Sequence, residues 1–352
     1  MRNYRILMIG MSFILTLFYF QACGDKKSSK KTSFPYVNNY QAEYTEAKGT
    51  KYSGDFYPIA PGKEWRYTGS MTGSDRITLK GKENGMPIDT TFTEYYNSNY
   101  VQAISHILAP VTATLSQKTY TLLPEEGYAD IDLGYTSTNS YPETMRYYEK
   151  TPAIVYIRAV PDGEGGFIEV KDPVFIKSEL VVGDSWISQP TMNTTQLAGS
   201  EDVNMKALCK LFVIGKDSLK VTQYIPVPPF YLERIIEAVR VDEVAEITGS
   251  VSAVGTTMKL DAKLKANLLF ADSVGVVASS EHAEITLKGG DSTLQLELYI
   301  IADLDLFLSS TSESVQLQKL EASNYIKETK IPEKYNHIIE RTINTMRLIS
   351  VY

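Results

Sequence analysis

The sequence predicts a mainly β protein: a curved antiparallel sheet, half-barrel or barrel-like, with one C-terminal amphipathic helix. Three observations carry that expectation. In residues 258–268, Met258, Leu260, Ala262, Leu264, Ala266 and Leu268 are interleaved with Lys259, Asp261, Lys263, Lys265 and Asn267. A period of two sets one face of a strand on a core and the other in water. No strand–helix–strand rhythm appears between residues 57 and 320, which leaves antiparallel meanders as the natural arrangement. Tyrosine is frequent, at 24 residues, and suits sheet surfaces where the ring packs flat and the hydroxyl stays wet.

At the amino terminus, Arg2 and Arg5 precede an uncharged run at 6–20 (ILMIGMSFILTLFYF), followed by Gln21, Ala22 and Cys23. A positive start, an apolar stretch and a small residue before the cut site define a secretory signal, residues 1–22. The run is shorter than the ~20 residues of a membrane-spanning helix. Cys23, placed directly after a small residue, resembles the lipobox cysteine of bacterial lipoproteins. That resemblance implies cleavage before Cys23, diacylation of its thiol and acylation of the new amino terminus. Phe20 and Gln21 depart from the Leu and small residue usual there, and the competing readings are an ordinary signal cut at Ala22 or an uncleaved anchor. Several acyl chains hold a protein stably where one does not. Gly24 stands where an Asp retains enterobacterial lipoproteins in the inner membrane. The expected location is therefore the cell envelope, at the outer membrane, with the periplasmic or surface face left open.

Residues 23–52 read as the lipidated cysteine and a flexible tether. The formal charge is −7. Loss of Arg2 and Arg5 with the signal makes it −9, and the +3 of residues 24–33 (four Lys, one Asp) leaves −12 on the rest. An acidic body argues against nucleic acid as a partner, which selects basic surfaces. The basic tether suits anionic lipid headgroups and equally suits a plain soluble spacer. With Cys23 acylated, Cys209 is the one remaining cysteine, so no intramolecular disulfide forms. It lies in a strand-like run at 205–212 and reads as a buried, inert thiol.

The β body is expected over 53–330, divisible into sub-sheets at 53–175 and 176–330. Ile285 and Leu287 lead into Gly289-Gly290-Asp291-Ser292, after which Leu294, Leu296 and Leu298 alternate with Thr293, Gln295 and Glu297. This is a hairpin with a Gly-rich turn. Residues 251–260 bend at Gly255 in the same way, and 76–82, 118–123, 146–150 and 154–160 are further strands. Both tryptophans stand three residues after a glycine: Gly62 before Trp65, Gly183 before Trp186. The spacing predicts a tight turn launching a strand whose Trp seals a core. A ligand-stacking role for the indoles is the alternative.

These segments also carry a resemblance. FYPIAPGKEWRY at 56–67 is similar to the "YFPLxxGxxWxY" opening of a family of uncharacterised bacterial envelope lipoproteins. A Tyr-rich strand pair follows at 119–123 and 146–148. Residues 179–186 (ELVVGDSW) are similar to a later "PLxxGDxW", and 271–277 (ADSVGVV) to a terminal "APGVGLVK". Ala60-Pro61 replaces the usual charged pair, and the Pro before Gly275 is missing. The ordered set, over about residues 55 to 325, implies a curved antiparallel sheet similar to the half-barrels of lipoprotein carriers. It implies no catalytic activity.

The C-terminus, 331–352, changes character. Pro332 suits a first helical position, and Tyr335, Ile338, Ile339, Ile343, Met346 and Ile349 recur at three- and four-residue steps. The result is an amphipathic helix with Tyr335, Ile339, Ile343 and Met346 as candidates to face a cavity, either as a fixed plug or as a lid.

Motifs of catalysis are missing. His106, His282 and His337 form no metal-binding spacing, and there is no G-x-S-x-G elbow or phosphate-binding loop. The pairs Asp130/Asp132 and Asp303/Asp305 put two carboxylates on one strand face but lack the other ligands of a Ca²⁺ loop. No cofactor is implied. The expected function is a non-catalytic, lipid-anchored envelope lipoprotein that binds or scaffolds a lipid or an envelope protein. The alternative is a carrier of an apolar ligand, a lipid or acyl chain, in a half-barrel cavity. A carboxylate-based hydrolase ranks third.

Overall fold

The computed structural model describes residues 34–309, apart from 84–85, 133–136, 140–142, 162–166, 171–173, 190–201, 227–228, 254–255 and 291–293. The signal, Cys23 and the C-terminal helix with Tyr335, Ile339, Ile343 and Met346 lie outside the described residues.

The strands are β1 (Lys51–Ser53), β2 (Glu64–Glu83), β3 (Met86–Ile107), β4 (Val111–Leu115), β5 (Lys118–Asp132), β6 (Ser137–Asn139), β7 (Glu143–Lys150), β8 (Ile154–Pro161), β9 (Phe167–Glu169), β10 (Val174–Lys177), β11 (Glu179–Val181), β12 (Ser185–Gln189), β13 (Asp202–Pro226), β14 (Pro229–Ala253), β15 (Thr256–Ala271), β16 (Gly275–Gly290) and β17 (Leu294–Ser309). Twelve follow one path, β10-β8-β7-β5-β3-β2-β17-β16-β15-β14-β13-β12, while β4, β6 and β9 pair on its side. Every pairing is antiparallel. The sheet is continuous through residue 175, because β2 pairs with β17 from Gly81↔Leu294 to Arg66↔Ser309 and so joins the two halves of the sequence.

The path nearly closes on itself. Its two ends, β10 and β12, are near neighbours in sequence, and the Trp186 indole N–H donates to the Val174 carbonyl across the gap at 3.1 Å. Beside the path, β1 and β11 form a separate two-stranded ribbon whose Leu180 joins the main core. Closure removes edges that would otherwise template aggregation.

Alternation decides inside and outside. Met258, Leu260, Ala262, Leu264, Ala266 and Leu268 are all buried, while Lys259 and Asp261 are exposed and Lys263, Lys265 and Asn267 half-buried. The neighbouring strands continue the charged outer face, with Lys288 paired to Glu297 at 3.0 Å and His282 Nδ1 to Asp303 at 2.7 Å.

Residues 34–53, read in the sequence as the end of the tether, pack on the outside of β13 and β14. Helix α1 (Pro35–Asn39) buries Val37, which joins Phe34, Phe212, Ile214 and Val244 in a small apolar cluster. The Tyr36 and Val37 backbone N–H groups donate to Glu246 Oε2 at 2.9 and 3.3 Å, and the Tyr40 hydroxyl donates to Asp242 Oδ2 at 2.7 Å. Residues 34–53 are thus a packed segment and not a flexible tether.

One end of the barrel is filled from within by Phe56, Tyr57, Ile59 and Trp65. Trp65 is 1% exposed, stacks on Tyr57 with ring centroids 5.1 Å apart, and donates its indole N–H to the Val274 carbonyl at 2.7 Å. Tyr57 in turn meets Phe175 edge-on at 4.9 Å. Gly62 and Gly183 both have positive φ, 82° and 94°, the left-handed conformation that a side chain disfavours. These turns deliver Trp65 and Trp186 into their strands.

Candidate functional site

Above the aromatic filling lies an interior cavity of about 180 Å³. Most of its wall is aliphatic, as period-two strands dictate, with Ala245, Ile247, Leu264 and Leu268 on one side and Ile157 and Phe175 on the other. Three carboxylates and one guanidinium interrupt it: Glu125, Glu243, Glu281 and Arg146.

Glu125 is saturated with donors. Its Oε1 accepts from the Tyr57 hydroxyl at 3.3 Å and from the Ser105 hydroxyl, and its Oε2 accepts from the Tyr148 hydroxyl at 2.6 Å. Arg146 stands opposite Glu125 in the register of β5 with β7. Its guanidinium lies 5.8 Å from the Phe175 ring centroid, and Nη1 is 3.5 Å from the Tyr148 hydroxyl. Burial, reinforced by the Glu125 charge, pushes both the Tyr57 and Tyr148 phenols upward. They remain neutral donors.

The other two acids share a row of the sheet. Cα pairing runs Leu211–Glu243–Ala266–Glu281–Leu304 across β13 to β17. Glu243 and Glu281 are two strand spacings apart, about 10 Å between backbones, with only a methyl group between them. Burial raises Glu243, and the Cys209 thiol (Sγ to Oε1, 2.8 Å) and the Arg146 charge partly offset this. Burial pushes Glu281 up to about 8; the Ser279 hydroxyl opposes this, while Glu243 and Asp305 add to it. The buried Glu281 Oε2 finds no hydrogen-bond partner among the described residues. An acid so placed takes a proton or demands a cation.

Sequence reasoning missed all three carboxylates. A signal for two of them was present. Residues 243–248 read EVAEIT and 281–286 read EHAEIT. On β14 the inward register is Val241, Glu243, Ala245, Ile247; on β16 it is Ser279, Glu281, Ala283, Ile285. Each has one Glu on an otherwise apolar or small-residue face. The two copies lie in register with β15 between them.

The residues singled out from sequence fall elsewhere. Trp65 and Trp186 are structural and do not line the cavity. Cys209 does line it, as the donor to Glu243. Asp303 holds His282 on the outer surface. Among the described residues, no group of three or more His, Cys, Asp or Glu side chains is arranged to hold a metal ion.

No protein-family model matches the chain, and no curated protein matches it. Among solved structures, a loop L8 deletion mutant of OmpT, an outer membrane protein of Vibrio cholerae, aligns over 70% of this chain and 100% of its own at 8% identity, with a TM-score of 0.20. The CymD monoaromatic hydrocarbon channel aligns over 71% and 89% at 7% identity, with a TM-score of 0.20. Scores this low carry no argument about fold or function.

Proposed function

We propose that this chain is a non-catalytic, lipid-anchored lipoprotein of the bacterial cell envelope, at the outer membrane, whose barrel interior is a binding site. The single observation that carries the reading is the cavity inside the barrel, with the Glu125, Glu243 and Glu281 carboxylates in a mostly apolar wall. Buried, incompletely compensated carboxylates cost stability, and a ligand that pairs with them repays that cost.

The charged outer face supports an anchor through acyl chains on Cys23 rather than insertion of the strands. A Lys at the middle of a bilayer costs a barrel about 2–4 kcal/mol, and β15 alone points Lys259, Lys263 and Lys265 outward. The ten residues 24–33 span at most about 35 Å when fully extended, so with residue 34 fixed on β14 the barrel stays close to the membrane surface. The envelope-lipoprotein resemblance of 56–67, 179–186 and 271–277 agrees with this placement.

A carrier of a short apolar chain fits the same cavity. A whole lipid does not fit the described volume: a cavity of about 150 Å³ holds one benzene, and ligand pockets of drug size start at about 300 Å³. The test is organic extraction of the full chain purified from its own membranes, followed by mass spectrometry. The binding reading expects one small molecule per chain. An empty, well-folded barrel would move the function to the outer surface and to a scaffolding role.

A further inference from the structure

We propose that the cavity takes a small organic ammonium ion, its charged nitrogen held between Glu281 and Glu243 and its apolar body against Leu264, Leu268 and Ala245. The inference rests on the reading of the barrel interior as a binding site and deepens it to a substrate class.

The charge inventory of the cavity argues for a cation. Glu125 already has three hydroxyl donors and faces Arg146. Glu243 has the Cys209 thiol and the more distant Arg146 charge. Glu281 has the Ser279 hydroxyl, shares its row with Glu243 on β14, feels the charge of Asp305 on the outer face of β17, and leaves Oε2 unpartnered among the described residues. Among the described residues no cationic side chain is paired with Glu281, so an anion there would gain no counter-charge and would meet the Glu243 carboxylate.

The geometry argues against a bare metal ion. Two carboxylates give too few oxygens for Ca²⁺, which takes 6–8. An ammonium group needs fewer partners: three N–H donors, two carboxylates and the nearby Ser279 hydroxyl. Ala266, set between the two acids in the row, is buried and small, so no long side chain stands between Glu243 and Glu281. The volume of about 180 Å³ exceeds by a little that of a cavity known to hold benzene, so a ring or short chain bearing one amine is the right size.

Protons compete with such a ligand. Glu281 holds a proton in the empty barrel at neutral pH, because burial, Glu243 and Asp305 all disfavour its charge. Binding an ammonium expels that proton, so affinity rises with pH up to the point where the ligand amine itself loses its charge.

The test uses the full chain in detergent micelles and titration calorimetry with blank micelles subtracted. The probes are benzylamine, its neutral analogue benzyl alcohol, and benzoate. Benzylamine is expected to bind about tenfold or more tightly than benzyl alcohol, the value of one charge-assisted hydrogen bond. Benzoate is expected not to bind. Glu281→Gln should bring the affinity ratio of amine to alcohol, measured in the same variant, down to about one, and Glu243→Gln should lower it. The amine should bind more weakly at pH 6 than at pH 8. Equal binding of amine and alcohol, or an amine preference that survives both substitutions, would overturn the ammonium assignment and leave the binding-site reading intact. Failure of all three probes, together with an empty organic extract, would overturn both.

Discussion

Glu281→Gln should stabilise the protein by an amount that grows as pH rises from about 4.5 to 8. The folded barrel raises Glu281 from an ordinary 4.5 to about 8. A folded-state pKa above the unfolded one means that the native protein holds a proton the unfolded chain has released. Unfolding between these values sheds that proton, so stability falls as pH rises. At about 1.4 kcal/mol per unit, the interval amounts to about 4–5 kcal/mol, absent below pH 4.5 and complete above pH 8. Glutamine matches the shape of the protonated acid and never ionises. Urea unfolding followed by tryptophan emission, at several pH values from about 4.5 to 8.5, gives both curves. Wild type and variant should coincide at the acid end, and the variant should lead by several kcal/mol at the alkaline end. Glu243 and Asp75 are also raised by burial and slope the same way, but they are present in both proteins. Removing the Glu281 charge relieves Glu243 as well, which widens the gap slightly. Parallel curves across the whole range would refute the reasoning, since they would mean that Glu281 is solvated.

Trp65→Ala should cost about 3–5 kcal/mol, because the indole is 1% exposed, stacks on Tyr57 and donates to Val274; a loss below about 1 kcal/mol in urea unfolding would contradict that burial. Gly69→Ala should destabilise by about 3 kcal/mol, because the added methyl would lie 1.7 Å from the Asp305 carbonyl oxygen of the neighbouring strand; unchanged thermal unfolding would exclude so close an approach of β2 and β17. Cys23→Ala should release the folded protein from the membrane fraction and abolish labelling by a clickable fatty acid. A variant that still sediments with membranes would rule out acylation as the sole anchor.

How much of this was legible in the sequence follows from which interactions are local. The alternation at 258–268 and the hairpin around 289–292 were readable because period and turn chemistry act within a strand or hairpin; the first stands as β15, and the strands that flank the second pair as β16 and β17 up to Gly290↔Gln295. The Gly–Trp spacings were readable for the same reason. Closure was not, because it depends on β2 meeting β17 and on Trp186 reaching Val174, contacts that no local pattern encodes. Residues 34–53 carry Pro, Asn and Tyr in the proportions of a linker, and it is partners distant in sequence, Glu246 and Asp242 together with the apolar cluster of Phe212, Ile214 and Val244, that convert them into a packed strap. The acids of the cavity were hidden by the rule that finds strands. In VRVDEVAEI, residues 239–247, charges occur at both parities, and the alternation alone does not say which Glu turns inward. The near-identical EHAEIT on β16, set in register with it, resolves the parity once the sheet is known.

The central claim is that the interior of the barrel holds a ligand at the Glu243–Ala266–Glu281 row. Native mass spectrometry of the gently released full chain, wild type beside Ala266→Phe, tests it most directly, because a phenylalanine ring at that position would stand between the two acids and keep a ligand from bridging them. The account predicts a stoichiometric small added mass on the wild type and none on the variant, with unchanged β circular dichroism in both. A wild type that carries nothing, or a variant that carries the same mass, would contradict it.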